Sequence, residues 1–194
     1  MRVFDLKAKN EEMLLGYARM GLNDRLDYLP DVREGNSDNE KYEWYVENIK
    51  KELEILREVG FDGYMLLLQD VVTISREISD FVECFGSITN SLTAYSLGIT
   101  DKYKYDGLQN FINFTPFTKN ARVNILISSY ANNGCLGYIK HKYPDIIKKI
   151  KRRSIIFNDG LKIKFIDLDI DYEVDVEDLG ELTRKLLKNK QIIK

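Results

Sequence analysis

The sequence predicts an α+β fold, with helices in the N-terminal part of the chain and strands farther on. Apolar residues recur at helical spacing between about residues 10 and 59. Short β-branched runs follow near residues 81–85, 123–127 and 154–172, and the turn sequence NDG at 158–160 divides the last run into a hairpin. With 194 residues, the chain is long enough for one domain, or for one domain with a helical arm.

The helices are predicted from apolar spacing and from the residues that stop helices. The first runs from Asn10 to Leu29 and ends before Pro30. The second runs from Glu40 to Val59, with Gly60 as its C-cap. The unbroken run YMLLL at 64–68 fits a buried strand or a buried helix, because periodicity alone does not distinguish the two. Residues 70–78 have helical spacing.

A strand, a turn of small residues and a helix follow one another in the middle of the chain. The strand is predicted at Phe81–Phe85, the turn at Gly86 and Ser87, and the helix at Ser91–Leu97, before a loop-like stretch at 101–120. Unpaired N–H groups at such a turn and at a helix N-terminus bind anions. This is a candidate phosphate site, although a Gly-Ser turn by itself is usually only a turn.

The second half is predicted to be richer in strands. Val123–Ile127 is a predicted strand, and Ser154–Phe157 is the expected antiparallel partner of Leu161–Tyr172. Pro144–Arg153 is predicted as a basic helix, and Asp178–Lys188 as a final amphipathic helix.

An acidic ladder is the most informative feature of this half. The segment KFIDLDIDY at 164–172 places Asp167, Asp169 and Asp171 on one face of a strand and leaves the alternate residues for the core. Neighbouring carboxylates about 7 Å apart repel by about 2 kcal/mol at a surface dielectric. Mg2+ would offset this repulsion, since it prefers a few carboxylates together with phosphate oxygens. A solvated edge strand is the alternative.

Positive charge is concentrated in one segment, although the formal net charge of the chain is only -2. A basic segment near an acidic strand suits a polyanion such as DNA held against metal ions, and a solvated helix face is the alternative. The candidate DNA-binding residues are Lys140, Lys142, Lys148, Lys149, Lys151, Arg152 and Arg153.

Composition narrows the class of protein. No apolar run reaches membrane-spanning length and no signal-peptide pattern opens the chain, so a cytoplasmic location without membrane contact is expected. Cys84, Cys135 and the single His141 are too few for a disulfide framework, a zinc hydrolase or a Ser-His-Asp site. Abundant Lys, Ile, Asn and Tyr are typical of a phage or a low-GC bacterium.

Four segments, taken in order along the chain, resemble the C-family bacterial replicative DNA polymerases. ELEILREVGFDGYMLLLQD at 52–70 is similar to that family's ELEVIxxMGFxGYFLIVxDF, and the acidic ladder to its PDxDxDF. Two shorter blocks complete the resemblance. The first is GS at 86–87 with SL, AY and LGITD up to 101, which is similar to GRGSAAGSLVAYxLGITD. The second is KYDGL with FIN between 104 and 113, which is similar to KYDLLFERFLNP.

The resemblance covers about Leu14 to Leu187, with a break between Phe114 and Phe165. It implies the palm of these polymerases, a mixed sheet of the polymerase-beta nucleotidyltransferase type preceded by helices. The implied organisation is an N-terminal helical segment at 1–60 and a palm-like domain at 61–194, with a basic insertion at about 115–160.

The resemblance also implies site residues, cofactors and partners. Gly86 and Ser87 would contact the phosphates of the incoming nucleotide, and Asp167, Asp169 and Asp171 would be the catalytic ligands of two Mg2+ or Mn2+ ions, two of the three coordinating directly. The implied substrates are a DNA primer-template and a deoxynucleoside triphosphate.

Two departures from the family predict an incomplete palm that is inactive alone. Val82–Phe85 stands where the family has Gly-Pro-Gly-Arg, which removes a cation and places Glu83 near the expected triphosphate. The family's third carboxylate and its fingers follow later strands, whereas here only a helix and a short tail follow the ladder. A missing strand would also expose a sheet edge to another chain.

Three functions are consistent with these observations. The first is a palm fragment or split subunit, completed by a second polymerase polypeptide that brings the fingers and the remaining carboxylate. The second is a catalytically inactive module that binds DNA or another replication protein. The third is a free-standing nucleotidyltransferase whose site is completed by Asp145, Asp159 or Glu173.

Overall fold

The computed structural model describes residues 10–32, 35, 37–58, 62–103, 122–151, 153–157 and 161–168. Within these ranges, helices pack against one face of a mixed five-stranded sheet, which confirms the α+β class. The palm arrangement and the division at residue 60 stay predictions. None of the helices in these ranges combines the length and the apolar character that crossing a membrane requires.

The helices of the N-terminal half match the sequence prediction closely. Helix α1 ends in a 3-10 turn at Leu26–Tyr28, just before Pro30, and the undecided run at 64–68 is helical. The helices within the described residues are α1 (Asn10–Arg25), α2 (Asp38–Glu58), α3 (Asp62–Ile78), α4 (Leu92–Ser96) and α5 (Asn132–Lys142).

The described strands form one sheet in the order β1-β2-β5-β4-β3. Only the β2–β5 pair is parallel, and the other three pairs are antiparallel. The predicted hairpin of β4 and β5 is confirmed, although its turn at 158–160 lies outside the described residues. The strands are β1 (Val82–Phe85), β2 (Arg122–Ser128), β3 (Ile147–Lys151), β4 (Ser154–Phe157) and β5 (Lys162–Leu168).

The hydrophobic core lies between the helices and one face of the sheet. Alternate residues of the central strands, such as Ile125 on β2 and Phe165 on β5, are fully buried in it. They pack with Leu22, Ile49 and Leu68 from α1, α2 and α3, which are also fully buried. Because one cluster joins all these elements, the helical arm and the sheet stabilise each other.

Two segments of the second half differ from the prediction. The basic helix expected at Pro144–Arg153 is wrong, because the segment forms a 3-10 turn at Pro144–Ile146 and then strand β3. Pairing of β3 with β4 supplies backbone hydrogen bonds that local helix propensity cannot anticipate. Helix α5, which contains Gly134 and Gly137, was not predicted.

Several predicted features cannot be compared with the structure. Gly60, most of the loop-like stretch at 101–120 and the final helix at Asp178–Lys188 lie outside the described residues. The same holds for Asp169 and Asp171 of the acidic ladder, and for the alternative site residues Asp159 and Glu173.

Candidate functional site

A buried carboxylate occupies the N-terminus of helix α4. Glu52 on α2 is 2% exposed and accepts hydrogen bonds from Ser91 Oγ at 2.9 Å, Leu92 N at 2.9 Å and Thr93 N at 2.8 Å. Burial raises the pKa of Glu52, and the three hydrogen bonds oppose that rise. The anion bound at this helix N-terminus is therefore a side chain of the protein itself.

Two arginines hold the segment that follows α4. Gly98 has a φ of 71°, in the left-handed region that favours glycine, and it ends the helix. Arg25 on α1 donates to the Tyr95 and Thr100 carbonyl oxygens at 3.1 and 3.0 Å, and Arg76 on α3 donates to the Gly98 carbonyl oxygen at 2.6 Å. These contacts give the LGITD block at 97–101 a structural role in this chain.

The Gly86 turn lies beside strand β2. Gly86 has a φ of 100°, and a Cβ placed on it would come within 3.6 Å of Asn124 Nδ2 on β2. Its carbonyl oxygen accepts from Thr89 N at 3.2 Å and Thr89 Oγ1 at 2.8 Å, which closes the 3-10 turn at Ser87–Asn90. The side chain that borders this turn on the neighbouring strand is thus an amide.

The sheet register separates the Gly86 turn from the start of the acidic ladder. Phe85, directly before the turn, pairs with Asn124, which pairs with Lys164 on β5. Asp167 lies three residues farther along β5, level with Ile127. Three residues along the strand and two strand spacings across the sheet put the Phe85 and Asp167 backbones about 14 Å apart. The structure does not bring position 167 and the turn together.

Burial on strand β5 also differs from the prediction, which placed core residues only on the face opposite the acidic ladder. Ile166 is 5% exposed, as the ladder pattern predicts for a core position. Ile163 and Phe165, which alternate in phase with Asp167, are fully buried and belong to the main core. Among the described residues, no group of three His, Cys, Asp or Glu side chains is arranged to hold a metal ion. The metal-ligand roles of Asp167, Asp169 and Asp171 stay predictions.

The predicted DNA-binding residues fall on two separate elements. Lys140 and Lys142 lie on helix α5, whereas Lys148, Lys149 and Lys151 lie on strand β3. Arg153 follows β3, and Arg152 lies outside the described residues. The basic segment is therefore not one continuous helical surface.

Lys142 is engaged within the fold. Its Nζ donates to Asp70 Oδ1 on α3 at 2.7 Å, and Asp70 also accepts from the hydroxyls of Tyr138 at 3.1 Å and Tyr143 at 2.8 Å. The hydrogen bond with Asp70 is the main reason that the pKa of Lys142 is raised, and burial raises the pKa of Tyr143. This cluster joins α3 to the end of α5.

We expect Asp70→Asn to lower the free energy of unfolding by about 1–2 kcal/mol, because an amide keeps the shape but repels one of the three donors. The effect is moderate because the Lys142 side chain is 45% exposed. Urea denaturation measures it, and Glu77→Gln on the exposed side of the same helix is the matched control. Equal stability of the two variants would contradict the expectation.

A set of lysines on β3 and β5 shares the sheet face opposite the described helices. In the register of the hairpin strands, Lys151 pairs with Ser154 and Ser154 with Lys164. Two residues farther along β4, Ile156 pairs with both Lys149 and Lys162. The sequence prediction missed Lys162 and Lys164, although KIK at 162–164 repeats the alternation of KIK at 149–151.

Comparison with protein families shows which family the chain belongs to. A family model described as the bacterial DNA polymerase III alpha NTPase domain matches residues 12–126, more than half of the sequence. The chain belongs to this family. The match to the polymerase III alpha family ends within strand β2, so strands β3, β4 and β5 lie beyond it.

Individual relatives agree with this assignment. The DNA polymerase III subunit alpha of Helicobacter pylori strain J99 is 38% identical over 100 residues, which cover 50% of this chain and 8% of that protein. The corresponding subunit of Vibrio cholerae is 32% identical over 119 residues, covering 59% of this chain and 10% of that protein. An error-prone DNA polymerase of Mycobacterium tuberculosis strain H37Rv is 30% identical over 100 residues, or 49% and 9% of the two chains. The chain spans about a tenth or less of these relatives.

Proposed function

We propose that this chain is a polymerase III alpha-derived module of DNA replication that binds DNA without forming a two-metal centre at the Gly86 turn. Membership of the polymerase III alpha family supports the link to replication, because the relatives described above are named as DNA polymerases. The proposal corresponds to the second of the three functions that the sequence suggests.

The identity of the strand beside the turn carries the proposal. In the resemblance, an acidic strand soon follows the FLNP-like block, and here the next strand among the described residues is β2. Strand β2 pairs with β1, borders Gly86 through Asn124, and contains the end of the family match. Its sequence, RVNILIS, contains no carboxylate. The donors present at this position therefore do not fit Mg2+, which prefers carboxylate oxygens.

Glu83 adds a second argument against nucleotide binding at the turn. It lies on β1 and pairs with Leu126, on the same strand pair that borders the turn. Its Oε2 atom is buried and has no hydrogen-bond partner among the described residues, and the position of the family's arginine, two residues farther on, is occupied by Phe85. A triphosphate near this position would meet like charge in a poorly solvated place.

A direct test is the response to metal and nucleotide. We expect neither Mg2+ nor Mn2+, with or without a deoxynucleoside triphosphate, to raise the melting temperature or to support incorporation on a primer-template. We expect DNA to be bound in EDTA. The chain alone and the chain mixed with candidate polymerase polypeptides from the same genome are both assayed.

The split palm is the second candidate, and the position of β5 favours it. Strand β5 lies parallel to β2, so the acidic series begins at the end of the central strand pair. A melting temperature raised by Mn2+ and lost in Asp169→Asn, together with incorporation in the presence of a partner chain, would replace the first proposal by this one. Asp24→Asn is the control substitution, because Asp24 is exposed on α1, away from the sheet.

A further inference from the structure

The lysines of the β3–β4–β5 hairpin region form a defined charged surface, which we call the lysine face: Lys149, Lys151, Lys162 and Lys164. Lys149 and Lys151 are two positions apart on β3, and Lys162 and Lys164 are two positions apart on β5. The members of each pair are therefore about 7 Å apart along the strand. Strand β4 lies between the two pairs, so they are about 10 Å apart across the sheet. The four positions therefore outline a compact rectangle.

The alternation of the strands directs the lysine face away from the core. Ile155 on β4 and Ile163 on β5, at the intervening positions, are fully buried against the helices. Lys149, Lys151 and Lys164 are exposed, and Lys162 is half-buried. Ser154 and Ile166, on the same side of the sheet, are 6% and 5% exposed, so the exposed charge is concentrated on β3 and the first half of β5.

The lysine face is uniform in sign. None of the described positions of β3, β4 and β5 on this side of the sheet is acidic, since the others are Ser154, Ile156, Ile166 and Leu168. Arg122 on β2 pairs with Lys162 and extends the row of basic positions by one strand. The nearest acidic position on this side of the described sheet is Glu83 on β1, two strands away from β5.

The chemistry of the lysine face suits a phosphodiester backbone. Lysine ammonium groups bind phosphates as point charges and carry no preference for base sequence. The aromatic residues of these strands, Phe157 and Phe165, are fully buried, so the face offers no stacking platform of the kind that single strands use. A duplex, with one charge per about 1.7 Å of its axis, presents several phosphates within a patch of this size.

We propose that the lysine face binds the phosphate backbone of duplex nucleic acid without metal ions and without sequence preference. This inference rests on the proposed function and names the surface that performs it. The surface lies at residues 149–164, beyond the segment that matches the polymerase III alpha family, and is therefore a property of this chain's own hairpin region.

The test measures binding of a labelled DNA duplex to the whole chain by fluorescence anisotropy in EDTA over a salt series. Phosphate contacts by the three exposed lysines, Lys149, Lys151 and Lys164, predict an affinity loss of about 40-fold between roughly 50 and 200 mM salt. For the double variant Lys151→Gln/Lys164→Gln, we expect weaker binding and a loss of about 3.5-fold over the same range, because one of the three exposed lysines remains.

A matched control distinguishes the effect of removing lysines from this surface from the effect of lowering the net charge of the chain. Lys51→Gln/Lys102→Gln removes two exposed lysines elsewhere and changes the total charge equally. We expect its salt dependence to stay that of the unmodified chain. Circular dichroism melts of each variant verify that it is folded.

Each outcome has a defined meaning. If both double variants weaken binding equally, DNA binding stands but the lysine face is not its site. If the unmodified chain binds no duplex at low salt, both this inference and the proposed function fail. Preference for single-stranded DNA over duplex, or equal binding of polyglutamate, overturns the inference. A parallel duplex RNA arm identifies which duplex is preferred.

Discussion

Replacing Glu52 by alanine is expected to lower the free energy of unfolding by about 4 kcal/mol. The substitution leaves Ser91 Oγ, Leu92 N and Thr93 N without their acceptor in a buried place. It also opens a cavity between α2 and α4, which share a hydrophobic core. Urea denaturation followed by circular dichroism measures the change.

Glu54→Ala on the exposed side of the same helix is the matched control, with an expected change of less than about 0.5 kcal/mol. Glu52→Gln keeps one carbonyl acceptor and the side-chain volume, so its loss is expected to fall between the two alanine variants. If Glu52→Ala were as stable as Glu54→Ala, the role assigned to the buried carboxylate would be wrong.

The pH dependence of this effect has a definite sign. Burial raises the pKa of Glu52 above its usual value of 4.5, so between that value and the raised pKa the folded chain binds more protons than the unfolded chain. The contribution of Glu52 to stability is therefore fully present below pH 4.5 and declines as pH rises through the raised pKa. The difference in unfolding free energy between the unmodified chain and Glu52→Gln should decline accordingly. A difference that grows with pH would show that the hydrogen bonds outweigh burial.

Gly21→Ala is expected to lower the free energy of unfolding by about 3 kcal/mol. A Cβ at Gly21 on α1 would overlap the backbone carbonyl oxygen of Ser96, at the end of α4. Backbone atoms on both sides leave no flexible side chain to move, so the two helices would have to separate. The separation would also disturb the Arg25 hydrogen bonds, because Arg25 lies on the same helix as Gly21.

Gly16→Ala, on the same helix, is expected to raise the free energy of unfolding rather than to lower it. A Cβ at Gly16 has no atom within 4 Å, so only the gain in helix propensity remains, about 1 kcal/mol of stabilisation. Thermal melts of the two variants side by side measure both effects. A stable Gly21→Ala variant would mean that α1 and α4 pack less closely than the structure describes.

Most of the described helices and strands can be predicted from the local sequence, because each segment contains its own apolar periodicity or a residue that ends the element. The 3-10 turn after helix α1 stops at Tyr28, just before Pro30, and the strand at Val82–Phe85 precedes a glycine whose φ is positive. The run at 64–68 is ambiguous in the sequence because an unbroken apolar segment satisfies either period, and packing of Leu68 and Val72 on α3 resolves it as a helix.

Strand β3 shows why the basic segment was misassigned. Ile147 and Ile150 are three residues apart and fit a helix as well as a bulged strand, and lysine favours helices. Pairing with β4 decides the outcome, and that partner contributes hydrogen bonds which no local window contains.

The amino-acid sequence by itself determined the α+β class, most of the order of the helical and extended segments as far as strand β2, and the resemblance that family comparison confirmed. Tertiary structure alone decided which strand lies beside the Gly86 turn and which side chains share a face of the sheet. Strand order depends on pairing between distant segments, and a shift of one residue in register exchanges the two faces. Asn124, rather than the acidic ladder, therefore borders the turn, and the lysines of two strands meet on one surface.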